Sequence, residues 1–216
     1  MKKIKYSDIT PEKIYNNRRS FIKSIGFGTG LIATSSFPFL NNALANNESK
    51  LTSYKDITTY NNYYEFGTAK GDPYKNAQNF KTEPWNISIE GEVENPINIS
   101  MEEISDEFTS EERILRLRCV EGWSMVIPWM GFSLNQLLSK VTLTSKAKFV
   151  EFESVYDPEQ MRGQRSPVLN WPYKEGLRID EAMHPLTTVV TGLYNKKLPN
   201  QNGAPLRIFI PWKYGF

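Results

Sequence analysis

A single cysteine, Cys119, ends an alternating run, Ile114-Leu115-Arg116-Leu117-Arg118-Cys119, and is followed by Val120-Glu121-Gly122-Trp123-Ser124. Period-two alternation predicts a strand with Leu115, Leu117 and Cys119 on one face and Ile114, Arg116 and Arg118 on the other. The thiol then sits where a buried strand gives way to a glycine-containing loop, with the two nearby guanidinium groups as candidate anion partners. One cysteine cannot close an intramolecular disulfide. Three readings of it stand open: a buried inert thiol, a nucleophile, or a thiolate held by a metal. Zinc does not fit, because one Cys and one His cannot supply its usual ligand set. His184, the only histidine, is available as a base for a nucleophilic thiol, against a helix-terminal or core role beside Pro185. No phosphate loop or dinucleotide fingerprint occurs, since Gly26, Gly28 and Gly30 lie in an N-terminal segment of another kind.

That segment says where the cysteine works. Arg18-Arg19-Ser20-Phe21-Ile22-Lys23 precedes a moderately apolar run from Ile25 to Leu40, and Ala43-Leu44-Ala45 then offers a small-x-small cleavage site. Residues 1–45 are read as a twin-arginine signal peptide. Their apolar run is too short and too rich in Gly, Ser and Thr for a transmembrane helix, which needs about 20 apolar residues. The chain carries 26 basic and 24 acidic residues; seven of the former and two of the latter lie in the leader, leaving 19 and 22, a formal charge of −3. The basicity belongs to the leader, and no basic patch supports a nucleic-acid partner. The remaining 171 of 216 residues suffice for one ordinary domain.

The elements that must position Cys119 are short and mixed. Residues 46–84 are expected to form an irregular, Asn-rich arm packing by its aromatics, with Thr59-Tyr60-Asn61-Asn62-Tyr63-Tyr64-Glu65-Phe66-Gly67 at its centre. Trp85, Ile87 and Ile89 predict a strand, Ser100-Met101-Glu102-Glu103 a capping box opening a helix, and Leu134, Leu137 and Leu138 a second helix. Lys148–Val155 reads as a strand with Val150, Phe152 and Ser154 on one face. Asp180–Met183 reads as a helical turn stopped by Pro185, Thr187–Leu193 as a strand, and Leu206, Ile208 and Ile210 as the alternate residues of a last strand. Without a regular βαβ beat, the order argues for an α+β fold.

Several uncommon blocks carry a resemblance that spans essentially the whole chain. They are the twin-arginine leader, Tyr60 to Gly67, Arg118-Cys119-Val120-Glu121 with Trp123-Ser124-Met125, Pro128-Trp129 and Gly131-Phe132, Pro158-Glu159-Gln160-Met161, Asp180 to Thr187, and Gln201 to Pro205 through Pro211 to Phe216. In these the chain resembles the periplasmic molybdopterin-dependent protein-methionine-sulfoxide reductase catalytic subunits, of the sulfite-oxidase fold family. The leader and the aromatic loop match these blocks better than those of sulfite-oxidising relatives.

The resemblance implies a sulfite-oxidase-like molybdopterin-binding fold over 46–216, a mixed sheet with short helices, and a molybdenum-molybdopterin cofactor. It makes Cys119 the protein ligand to molybdenum, and Asn61, Tyr64, Glu65, Ser154, Asn202 and Arg207 the residues that hold the pterin. At position 154 the family commonly has Thr; serine keeps the hydroxyl. Arg207 offers a planar donor fork to the pterin phosphate, and Trp123, Trp129 and Trp212 are candidates for the substrate route. The implied reaction is oxygen-atom transfer from methionine sulfoxide in oxidised periplasmic proteins. Its electrons come from a membrane haem-containing subunit fed by the quinone pool, and the twin-arginine machinery exports the folded protein. Family members continue beyond Phe216 with a Gly-x-Lys-type segment that contacts the cofactor. This chain is therefore expected to be incomplete at the C-terminus, and an inactive exported domain with weak or no cofactor binding is the competing reading.

Overall fold

The computed structural model describes residues 50–119 and 121–211, which belong to the second of two units, Met1–Glu48 and Ser49–Phe216. The expected leader, Val120 and the final segment with Trp212 lie outside the described residues. In chain order the elements are α1 (Tyr54–Thr59), α2 (Asp72–Asn76), β1 (Asn86–Ile89), β2 (Ile97–Ser100), α3 (Met101–Glu107), β3 (Glu111–Arg118), β4 (Ser124–Ser133) and α4 (Leu134–Leu138). There follow β5 (Phe149–Glu153), β6 (Lys174–Arg178), α5 (Ile179–Ala182), β7 (Thr188–Leu193), β8 (Lys196–Lys197) and β9 (Arg207–Phe209). Three 3-10 turns, Tyr64–Phe66, Arg162–Arg165 and Asn200–Asn202, complete the set.

The fold is α+β, as its sequence pattern predicts. A five-stranded sheet runs β3-β4-β7-β8, with β9 also on β7, and β1-β2 and β5-β6 form two separate ribbons. Every strand pairing among the described residues is antiparallel. Because side chains alternate across a strand, the central sheet feeds two apolar cores. Val189 and Ile210 face a cluster built with α3, α4 and Leu177, against which Leu206 and Ile208 also pack. Val190 and Phe209, one residue along, face a second cluster with Leu117, Ile127, Trp129 and Ile57 of α1. The expected alternation of Leu206, Ile208 and Ile210 is present, and it places Arg207 on the side of Phe209.

Two expectations are corrected. Residues 46–84 are not irregular where described: they hold α1, the Tyr64–Phe66 turn and α2. Ser53 caps α1 by accepting from Asp56 N, and Pro73 sits in the first turn of α2, where its missing N–H costs nothing. Both helices are too short for a periodic apolar signal. Their aromatics do pack, with Phe66, Phe80 and Met161 forming a third cluster joined by Tyr63 and Trp85.

The second correction concerns charge near the thiol. Arg116 and Arg118 are exposed while Leu117 and Cys119 are buried, so the alternation that buries the cysteine turns both guanidinium groups away from it. The loop after Cys119 is a tight turn, and the chain returns as the ten-residue β4, unforeseen because Pro128 interrupts its pattern. Pro128 is tolerated because its carbonyl accepts from Tyr194 N, at 3.0 Å, beyond the last β7 residue paired with β4. Its missing donor points the same way, away from the β3 ladder.

Candidate functional site

Cys119 sits at the mouth of the β3–β4 hairpin, 3% exposed. Its backbone N–H donates to Trp123 O at 2.9 Å, Gly122 N donates back to Cys119 O at 3.1 Å, and Glu121 N reaches the Cys119 sulfur at 3.5 Å. Gly122 takes a φ of +82°, a left-handed backbone that glycine adopts without strain. The turn thus buries the sulfur and carries Trp123 to the wall of a cavity. The Glu121 carboxylate accepts from the Tyr64 hydroxyl at 2.9 Å, joining this turn to the Tyr64–Phe66 segment. That bond is the main reason the Tyr64 phenol stands above its ordinary pKa.

Asn61, Asn202 and Arg207 meet at the cavity, together with Trp123, Trp129 and the apolar Leu117, Met125 and Ile127. Their assembly rests on one carbonyl. Ile57 O, in the last turn of α1 where carbonyls lack intrahelical partners, accepts from Asn61 Nδ2 at 3.2 Å and from Asn202 Nδ2 at 3.0 Å. Gln201 Nε2 likewise donates to Thr58 O at 3.2 Å. With both amide nitrogens committed to Ile57, the hydrogen-bond network orients both Oδ1 atoms as acceptors.

Arg207 Nη1 donates to Asn202 O at 3.0 Å, and the guanidinium lies 5.3 Å from the Tyr63 ring centre and 5.2 Å from that of Trp129. None of the ion pairs among the described residues includes it. Burial pulls Arg207 below its ordinary pKa, and the nearby Tyr63 and Cys119 act the other way. The guanidinium that lines this cavity is therefore Arg207 of β9, and neither of the strand arginines offered as anion partners lines it.

Five buried side-chain atoms lack a hydrogen-bond partner among the described residues: Asn61 Oδ1, Asn202 Oδ1, Arg207 Nε, Trp123 Nε1 and Trp129 Nε1. All five residues line this one cavity. A buried polar group left unpaired costs about 1–3 kcal/mol, against roughly 5–15 kcal/mol for the stability of a whole domain. Five in one place are the mark of a site that a polar ligand completes. Three donors, one on a cation, and two acceptors suit an anionic heterocycle that carries both N–H and carbonyl groups, which is the chemistry of a pterin phosphate. No cluster of three His, Cys, Asp or Glu that could hold a metal ion occurs among the described residues.

The remaining sequence-predicted residues stand apart from this convergence. Tyr64 is committed to Glu121. Ser154, just past β5, donates its hydroxyl to Tyr173 O at 3.2 Å and does not line the cavity. His184 accepts from Leu186 N at Nδ1, 3.1 Å, in the turn after α5, and does not line the cavity. Sequence reasoning passed over Glu121 and Tyr63 as single residues, and Ile57 altogether; a backbone carbonyl that orients two amides leaves no signal in side-chain types.

Glu65, 8% exposed, packs beside this site, and burial pushes its carboxyl above the usual carboxylate range, only partly offset by a backbone hydrogen bond. A raised acid favours its protonated form in the folded chain. Its contribution to stability is present below the unfolded value of about 4.3 and is lost as pH rises through the folded value. Glu65→Gln is therefore expected to raise the melting temperature of the cofactor-free protein at pH 7.5, by about 2–4 °C for each kcal/mol recovered. The gap to wild type should close near pH 4. A pH-independent difference would count against burial as the cause.

The fold and this cavity define a molybdopterin-binding oxidoreductase domain. The sequence model of the oxidoreductase molybdopterin binding domain matches residues 74–216. The protein-methionine-sulfoxide reductase catalytic subunit of Xanthomonas axonopodis pv. citri is 49% identical over 97% of this chain and 69% of its own length. That of Pseudomonas syringae pv. tomato is 46% identical over 98% and 71%. A solved structure, the sulfane dehydrogenase SoxCD from Paracoccus pantotrophus, is 14% identical with a TM-score of 0.49, covering 66% of this chain and 36% of that one. The chain belongs to the molybdopterin-binding oxidoreductases, in the family of the protein-methionine-sulfoxide reductase catalytic subunits.

Proposed function

We propose that this chain is the catalytic subunit of an exported system that reduces methionine sulfoxide in oxidised proteins to methionine, using a molybdenum-molybdopterin centre. The observation that carries the reading is that the five residues with an unpartnered buried polar atom all line one cavity beside the Cys119 turn. Asn61 and Asn202 would accept from N–H groups of the pterin, Arg207 would face its anionic part, and Cys119 supplies the soft thiolate that suits molybdenum. Tyr64, Glu65 and Ser154 join the cofactor set by resemblance. Leu117, Met125 and Ile127 give the cavity an apolar wall that keeps water from the sulfur. Bound there, the group would supply oxygen-atom transfer, in which a sulfoxide, two electrons and two protons give a thioether and water. The electrons would come from a membrane haem partner, and Arg18-Arg19 would direct export of the folded, loaded chain to the periplasm. No helix among the described residues is long and apolar enough to cross a membrane.

The test is expression of the full chain in a bacterium that makes molybdopterin and exports by the twin-arginine route. The expected result is periplasmic protein with about one molybdenum per chain that oxidises a reduced dye with methionine sulfoxide as acceptor, and cytoplasmic retention when Arg18 and Arg19 are both changed to Lys. Folded periplasmic protein that neither holds molybdenum nor turns over would favour the inactive-domain reading instead.

A further inference from the structure

Three of the five unpartnered atoms in the cavity belong to residues that the resemblance assigns to the cofactor. The other two are indole nitrogens on Trp123 and Trp129. An indole N–H donates and cannot accept, and a buried tryptophan ordinarily finds a partner for it. Trp171 shows the ordinary case, its Nε1 donating to Ser166 O at 2.8 Å. Trp129 is 1% exposed and lies against Phe209, with ring centres 5.8 Å apart. If apolar packing were its whole task, the orphaned nitrogen would be a pure cost, which phenylalanine avoids. Instead that nitrogen belongs to the ring on which the Arg207 guanidinium rests, and Arg207 Nε is itself unpartnered. Trp123 comes from the turn that holds Cys119, through the Cys119 N to Trp123 O bond, so its indole is fixed relative to the thiol.

We propose that Trp123 and Trp129 are cofactor-binding residues: their two indole N–H groups join Arg207 Nε as donors for acceptor atoms of the bound molybdopterin, beside the acceptors of Asn61 and Asn202. The inference rests on the proposed function and deepens it. It also revises the role first suggested for these tryptophans, from walls of a substrate route to contacts with the cofactor.

The test compares the full chain in cofactor-free and cofactor-loaded forms, labelled with ¹⁵N at the indole nitrogens, with each resonance assigned from single Trp→Phe variants. On loading, the Trp123 and Trp129 N–H signals are expected to move downfield and exchange more slowly with solvent, while that of Trp171 stays. Trp123→Phe and Trp129→Phe should each speed cofactor release by about tenfold, the equivalent of one ordinary hydrogen bond. Each change also trims a ring packed in the second core, so the melting temperature of the cofactor-free form is followed beside it and release rates are compared between folded proteins. Loaded wild-type protein whose two indole signals are unchanged would overturn the proposal, even where a variant fails to fold. A wild-type chain that takes up no cofactor would instead overturn the proposed function, and this inference with it.

Discussion

Cys119→Ala is expected to abolish sulfoxide reduction while leaving pterin content close to wild type. The two effects separate because the cavity's polar atoms come from Asn61, Asn202, Arg207 and the two tryptophans, none of which depends on the sulfur. Under the proposed function the loss should exceed the roughly 10–100-fold that outer-shell partners of a metal site typically cost, since Cys119 would be a direct ligand. Folding should survive, because the turn is closed by backbone bonds between Cys119, Gly122 and Trp123 that the substitution leaves in place. Pterin is measured by fluorescence after oxidation, metal by elemental analysis and turnover with a reduced dye. Normal turnover in the variant would refute the ligand role and return Cys119 to the status of a buried inert thiol.

A second large effect is expected at Gly163, far from Cys119 in sequence. A Cβ there would lie 1.9 Å from Tyr64 O and 2.7 Å from Glu65 O, backbone atoms of the turn that carries two proposed site residues. No rotamer change relieves such a clash, so the Tyr64–Phe66 and Arg162–Arg165 turns must separate. Gly163→Ala should destabilise the protein by about 3 kcal/mol or more, in the range reserved for overpacking and backbone conflict, and should reduce cofactor loading as Tyr64 leaves Glu121. Thermal melting and molybdenum content check it. Gly71→Ala serves as the control, because a Cβ at Gly71 meets nothing within 4 Å. Equal melting temperatures for the two variants would show that the close approach carries no such cost.

The fold was legible where burial imposes a period and illegible where long-range contacts replace it. Leu115, Leu117 and Cys119 alternate because β3 has one buried face, and Ser100 with Glu103 forms the full capping box the spacing announces. The helices α1 and α2 gave no such signal. Asn200 Nδ2 donates to Ala77 O and Phe80 O, and Thr52 pairs with Val126 of β4, contacts that no window of sequence contains. At the site, Cys119 was visible as a chemical anomaly, whereas Asn61, Asn202 and Arg207 came only from resemblance. An asparagine before glycine reads as a turn residue, and an arginine in a last strand reads as solvated. Trp123 and Trp129 read as walls of a substrate route, because residue type alone does not show that their indole nitrogens lack partners.

The Ile57 carbonyl has a kinetic meaning beyond its geometry. It is reached from four residues away by Asn61 and from 145 residues away by Asn202, so the first acceptor oxygen can be set by α1 and its own loop, whereas the second waits for the Asn200–Asn202 turn to reach α1. Loop closure over such a span is among the slower steps in folding. An early intermediate holding α1 and the β3–β4 hairpin would own the thiol and both indoles but neither the second amide nor the guanidinium. Under the proposed function, cofactor capture would then follow this long-range contact rather than precede it.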